Sequence, residues 1–300
     1  MDRALLIGTT GGLYRGSESD PVQFGGREVT AMAQSDDGWW ANVDGAEIWR
    51  ADDLGEWEQA AVVEALRANC LLPTQTDLFV GTSEAHLLRL RDGELERVRS
   101  FDETPGREEW FTPWGGPPDV RSMAQDPDGA IYANVHVGGI PHSEDGGASW
   151  QPTIEIGSDV HEVSFHAPSG LLLAASAWGL ALSEDRGQTW RYEREGLHGT
   201  YCRAVRVAGD TILITASTGP YTNRAAIYRT PVAGVGPLER CENGLPEWFP
   251  SNLDTHCLAT SASEAAFGTD EGEVFVSSDE GATWSLVAED LPPVRCLVLE

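Results

Sequence analysis

Lysine is absent from this chain: all twenty basic residues are arginine, against 48 Asp and Glu, for a formal net charge of −28. So acidic a surface argues against nucleic acid and anionic membranes as partners, because both need a basic face. Two causes fit the imbalance. One is the composition of a GC-rich genome. The other is a salt-adapted cytosol, where an acidic shell stays hydrated and its self-repulsion is screened. The second predicts that dilution from molar salt to about 0.1 M, where the Debye length is about 10 Å, lowers the melting temperature. An unchanged Tm in scanning calorimetry would leave only the first. Cysteine is scarce: Cys70, Cys202, Cys241, Cys257 and Cys296, with no CxxC. That excludes the common zinc and redox motifs. The odd count and the lack of a signal peptide predict reduced thiols and a cytoplasmic protein. Met1-Asp2-Arg3 leads straight into an apolar run from Ala4 to Ile7, and no apolar run approaches membrane-spanning length. No HxH or HExxH spacing is present, so neither a metal nor a cofactor is expected.

What the chain has instead is a repeated phrase. Ser143-Glu144-Asp145-Gly146-Gly147-Ala148-Ser149-Trp150 recurs as Ser183 to Trp190 and as Ser277 to Trp284, each reading S-x-D-x-G-x-[ST]-W. The copies start 40 and then 94 residues apart, the second gap being close to two units of 47. Such a period marks a propeller or a solenoid. The units extend beyond the clear copies, and Asp53-Leu54-Gly55-Glu56-Trp57 reads as a decayed one. Short apolar runs recur in seven units, from Leu5-Leu6-Ile7 to Ala265-Ala266-Phe267, separated by Gly- and Asp-rich turns. This pattern predicts antiparallel sheet. The expected fold is all-β, a single domain over residues 1–300: a seven-bladed β-propeller of four-stranded blades. The first unit lacks its opening strand, and Pro293-Val294-Arg295-Cys296-Leu297-Val298-Leu299 has the missing pattern. That C-terminal strand is expected to complete the blade begun by Ala4 to Gly26. Closure removes open sheet edges and predicts a monomer.

The phrase resembles the Asp-box (BNR) repeat of sialidases, sortilins and photosystem II assembly factors. Other segments resemble a group of single-propeller proteins from actinobacteria and haloarchaea, several labelled glycosyl hydrolase or exo-sialidase. They are Trp110 to Pro118, His198 to Arg203, Ser217-Thr218-Gly219-Pro220, Leu245-Pro246-Glu247-Trp248-Phe249 and Asp254-Thr255-His256-Cys257. The resemblance implies the fold and brings no catalytic assignment. The Arg-Ile-Pro motif that sialidases carry near the N-terminus is missing, which argues against sialidase activity. The Asp-box itself reads as turn chemistry: Ser and Asp bond local backbone, Gly permits positive φ, and Trp packs on the blade.

Propeller topology sends the Asp-box turns to one end of the blades. Connections between blades, and turns between second and third strands, go to the other, where the unusual residues fall. The inner strands align on a triplet: Thr30-Ala31-Met32, Asn69-Cys70-Leu71, Arg121-Ser122-Met123, His161-Glu162-Val163, Arg203-Ala204-Val205, His256-Cys257-Leu258 and Arg295-Cys296-Leu297. Its first position, with three Arg and two His, is expected to ring an axial mouth as a focused anion site, or to brace neighbouring blades. Loops at that end add Trp114, His136, Trp178, Arg224 and Trp248. Aromatic lips with convergent polar groups are typical of ligand pockets.

Two functions follow. The first is a small-ligand propeller, a hydrolase or lyase in its catalytic form, acting on a carboxylate or sugar acid. Arg121, Arg203 and Arg295 would clamp the anion, and Asn69, His136, Trp114, Trp178, Arg224 and Trp248 would line the site. His161 or His256 would serve as acid or base, with Asp254 as partner to His256, and Tyr201 as donor or nucleophile. The second is a non-catalytic scaffold whose mouth grips a peptide or a protein terminus.

Overall fold

The computed structural model describes residues 5–300; Ala4, with which the first strand was expected to open, lies outside the described residues. The apolar runs form strands because turn residues bound them and both of their faces are covered. Every residue of Ile131–Val135 and of Leu171–Ser176 is buried. Such continuous apolar stretches suit fully buried strands. Burial falls off toward the last strand of each sheet, as in Gln151–Pro152 and Glu58–Val62. The chain is a seven-bladed β-propeller. Six sheets, spanning residues 29–62, 68–97, 120–152, 160–193, 201–240 and 258–288, have four strands in chain order.

The seventh sheet closes the fold. Leu5–Thr9 pairs with Gly12–Arg15 on one side and with the C-terminal Val294–Leu299 on the other, in register at Ile7 and Leu297. The sheet has three strands where four were expected, and Leu13 bridges Gln23 in place of the fourth. Two compact units are distinguished. One comprises Thr30–Leu172 and Ser183–Thr189; the other comprises the stretch ending at Val29, Leu173–Leu182 and Trp190–Glu300. The first packs Phe79, Phe101, Trp110 and Trp150 into one cluster. The second packs Phe249, Phe267, Phe275 and Trp284 into another.

The three copies of the repeated phrase form turns with one hydrogen-bond pattern. In the first, Ser143 Oγ donates to Asp145 Oδ1 at 2.8 Å and accepts from Gly147 N at 2.9 Å. Asp145 accepts from the backbone and hydroxyl of Ser149 at 2.8 and 2.6 Å. The same four bonds recur around Asp185 and Asp279. The decayed copy keeps one, from Gly55 N to Asp53 Oδ1 at 2.7 Å. The Ser149 hydroxyl and amide, then Ser143, hold the Asp145 carboxyl down at about 2. Bonds from Thr189 and Thr283 likewise lower Asp185 and Asp279. A depressed folded-state pKa gives stability that is present above the ordinary carboxylate range and lost as pH falls toward the folded value. We expect the triple variant Asp145→Asn, Asp185→Asn, Asp279→Asn to be less stable at pH 7. Its stability should also vary less between about pH 4 and pH 2. Tryptophan fluorescence during acid titration in urea reads this, and an unchanged acid limb would defeat it.

All five cysteines are buried, and none forms a disulfide. Three make one recurring contact: the thiols of Cys70, Cys257 and Cys296 lie 3.6 to 3.7 Å from the carbonyls of Val120, Val294 and Val29, which open the next blade's inner strand. Burial pushes the Cys296 thiol up to about 12 and the Cys241 thiol up to about 11. These are packing groups.

Candidate functional site

The residues singled out by sequence gather into three groups. The first stands where two adjacent blades meet. His136 opens the turn after Ile131–Val135, which Val137 and Gly139 complete at positive φ. Its backbone amide donates to Asp119 O at 2.9 Å. His161 lies on Val160–His166, and Asp159, at φ 49°, immediately precedes that strand. His136 Nε2 is 3.0 Å from Asp159 Oδ1, and His161 Nε2 is 3.7 Å from Asp159 Oδ2. Both imidazoles are buried, while the Asp159 side chain is 25% exposed. Burial works against the Asp159 charge, but the His136 contact and the fields of His161 and Arg121 hold its carboxyl below the usual range. The exposed Trp114 ring lies 5.2 Å from that of His136. The donor atoms of His136, Asp159 and His161 all lie within 4.8 Å of one another.

In the second group, Arg203 on Tyr201–Ala208 grips Asp254 with two bonds, Nε to Oδ1 at 2.7 Å and Nη2 to Oδ2 at 2.8 Å. Its Nη1 donates to the Tyr201 hydroxyl at 3.2 Å. Burial opposes the guanidinium charge, yet Asp254 outweighs it and raises the Arg203 pKa. Arg295 is held by Glu28 at 3.2 Å and by Asp270 at 2.6 Å. A polar cavity of about 210 Å³ lies beside both pairs, lined also by Ser251 and Asn252. Two of the three charges expected to clamp an anion, Arg203 and Arg295, are therefore matched by carboxylates already in the fold. Asp254, expected to serve His256, is bound by Arg203. His256 itself, aligned with the inner strands by sequence, lies ahead of Leu258–Ser261 at φ 67°, outside the strand alternation.

The third group is built by a short backbone bridge. Ala225 and Phe249 exchange N–H···O bonds of 3.0 and 2.9 Å, which brings their neighbours Arg224 and Trp248 together. The guanidinium carbon of Arg224 lies 5.1 Å from the Trp248 ring centre, and that of Arg240 4.7 Å from it. The His198 ring is 4.5 Å from the Trp248 ring. His198 Nε2 is 3.0 Å from the Arg224 carbonyl, which only accepts, so that nitrogen carries the proton. Nδ1 then faces the Tyr228 hydroxyl at 2.6 Å. Arg240 is paired with Glu242, whereas no carboxylate pairs with the exposed Arg224 among the described residues.

Of the other candidates, Arg121 is half-buried with its charge acting on Asp159, and Asn69 is half-buried on Ala68–Pro73. Trp178 is exposed and packs edge-on against Tyr192 at 5.5 Å. Sequence reasoning missed Asp159, Asp270, Glu28 and Arg240. A signal for Asp159 existed: an Asp stands two residues before the triplet at Asp119, Asp159 and Asp254. Wider clefts of about 1060, 900 and 520 Å³ lie at the opposite end of the blades, among turns such as Asp128-Gly129 and the box at Asp145. Among the described residues, no helix is long and apolar enough to cross a membrane.

No family model and no curated protein matches the chain. Solved structures do. YCF48 bound to D1 peptide aligns with 94% of this chain and 84% of its own at 18% identity and a TM-score of 0.59. The Niastella koreensis GH74 enzyme aligns with 93% of this chain at 13% identity and a TM-score of 0.62, but this chain spans only 46% of that one. A structure of the nidogen/laminin complex aligns over 84% of this chain and 97% of its own, at 15% identity and a TM-score of 0.56. At these identities the likeness is one of fold, shared by an enzyme and by proteins solved with a peptide or a protein partner.

Proposed function

We propose that this protein is a non-catalytic binding propeller. It holds a peptide or protein partner at the blade end opposite the Asp-boxes, with Trp248 as anchor and Arg224 as the grip for a carboxylate of that partner. The observation that carries this reading is the Arg224–Trp248 stack: an exposed guanidinium with no carboxylate of its own, laid on an aromatic ring. Arg203 and Arg295, by contrast, are already committed. Trp, Tyr and Arg are the side chains that dominate protein-binding hot spots. Placement agrees. The large exposed aromatics among the described residues are Phe111, Trp114, Trp178 and Tyr221. All four lie in connections between blades or in turns between second and third strands. The likeness in fold to YCF48 bound to D1 peptide and to a chain of the nidogen/laminin complex supports this reading.

The test is peptide display on the immobilised protein, followed by anisotropy of the enriched sequences as free acids and as amides. Trp248→Ala should weaken binding by about tenfold or more, roughly 1.4 kcal/mol. Arg224→Ala should remove the preference for the free acid. Enriched peptides that bind both variants as tightly as the parent would overturn the reading. The second reading, a small anionic ligand with hydrolase or lyase chemistry, is favoured by the cavity beside Arg203 and by the His136–Asp159 contact. A thermal-shift screen with sugar acids, carboxylates and phosphates should then give a hit that disappears in Arg203→Ala.

A further inference from the structure

We infer that His136, Asp159 and His161 form a binding site for a single divalent cation of the zinc class. Two imidazoles and one carboxylate are the donor set that zinc takes in open, three-ligand sites. In a tetrahedral site with bonds of about 2.0–2.2 Å, neighbouring ligand atoms stand roughly 3.3–3.6 Å apart. The two measured approaches, 3.0 Å from His136 Nε2 and 3.7 Å from His161 Nε2 to the Asp159 oxygens, bracket that spacing. All three donors fall within 4.8 Å of one another, so side-chain rotation alone would gather them on one ion.

Burial points the same way. His136 is 2% exposed and His161 fully buried, so the site is cut into the fold and not spread over its acidic surface. Asp159 is partly exposed and gives the ion an entry path. The donors are also held in place. His136 hangs from Asp119 by its backbone amide, Trp114 packs beside its ring, and the His161 ring is 5.5 Å from that of His136. Three protein donors leave a fourth position open. With the Arg121 charge acting on Asp159, the ligand favoured there is water or an anion. This site is independent of the Trp248 surface, and either assignment can fail without the other.

The experiment is calorimetric titration of chelator-stripped full-length protein with ZnCl2, with Co2+ as spectroscopic probe. The expected result is one Zn2+ per chain, a Tm that rises with Zn2+, and visible Co2+ bands of a four-coordinate site with imidazole ligands. Asp159→Asn and His161→Gln are close in shape to the parent, and each should weaken binding by more than the roughly 10–100-fold typical of outer-shell partners. Near-UV circular dichroism checks that they fold. No stoichiometric Zn2+ binding overturns the inference. So does equal affinity in both variants, which would put the ion on surface carboxylates. Should a variant fail to fold, the Co2+ spectrum of the parent decides: bands of an oxygen-only octahedral ion overturn the site.

Discussion

Gly81→Val is expected to leave no folded protein, and Gly81→Ala to cost about 1–3 kcal/mol or more, the range for forcing a methyl group into a filled core. Gly81 sits in a strand buried at every position, Leu78–Thr82. A Cβ there would lie 2.4 Å from Cys70 Sγ and 2.6 Å from Val120 Cγ1. Neither neighbour can retreat: Cys70 is packed against the Val120 carbonyl, and both residues are buried inner-strand positions. The arrangement repeats. A Cβ at Gly8 would lie 2.4 Å from Cys296 Sγ, and one at Gly268 would lie 2.5 Å from Val294 Cγ1. Glycine on the second strand makes room for a thiol at Gly8 and Gly81, and for the valine that opens the next inner strand at Gly81 and Gly268. Removing the thiol should therefore relieve one of the two clashes and leave the one with Val120. Gly81→Ala with Cys70→Ala is expected to be more stable than Gly81→Ala alone, by urea denaturation. Full stability of Gly81→Ala alone would show that the neighbours can yield.

Phe249→Ala is expected to lose about 3–5 kcal/mol, the usual cost of truncating a buried phenylalanine. Phe249 is 1% exposed and stands edge-on to Phe267 at 5.4 Å and to Phe275 at 5.7 Å. Trp284, the tryptophan of the third repeated phrase, stands edge-on to Phe267 at 4.9 Å. The effect reaches the binding surface. The backbone of Phe249 bridges Ala225, and this bridge helps to set Trp248 beside Arg224. Loss of the ring should loosen the Trp248 segment well before global unfolding. Hydrogen exchange at the Phe249 and Ala225 amides should accelerate more than at Phe267. Affinity for peptides selected on the parent protein should fall. Uniform acceleration across the blade would mean that the ring contributes to stability alone and does not position Trp248.

The Asp-boxes were legible because their chemistry is local. Ser143, Asp145, Gly147 and Ser149 satisfy one another within six residues, so the turn is written as a contiguous string. Ring closure was legible for a similar reason: the strand missing from the first unit has its pattern at Val294–Leu299. The inner-strand triplet falls on a strand at Thr30, Asn69, Arg121, His161, Arg203 and Arg295, and the pairing register shifts at Asn69, Arg121, Arg203 and Arg295. His256 lies ahead of its strand, at positive φ. Pairings were less legible still. Arg203 with Asp254 and Arg295 with Glu28 join residues 51 and 267 positions apart.

The sequence alone determined the seven-fold repeat, the end of the blades on which each turn lies, and the excess of Arg, His and Trp at one of those ends. Periodic burial and short-range hydrogen bonds are sufficient for that. Which charges remain available was decided only in three dimensions. Ion pairing depends on which blade meets which, and no pattern in a single strand records its neighbour. The fold gave Arg203 and Arg295 their carboxylates, left Arg224 lying on Trp248, and turned His136 and His161 toward one aspartate that the sequence had not singled out.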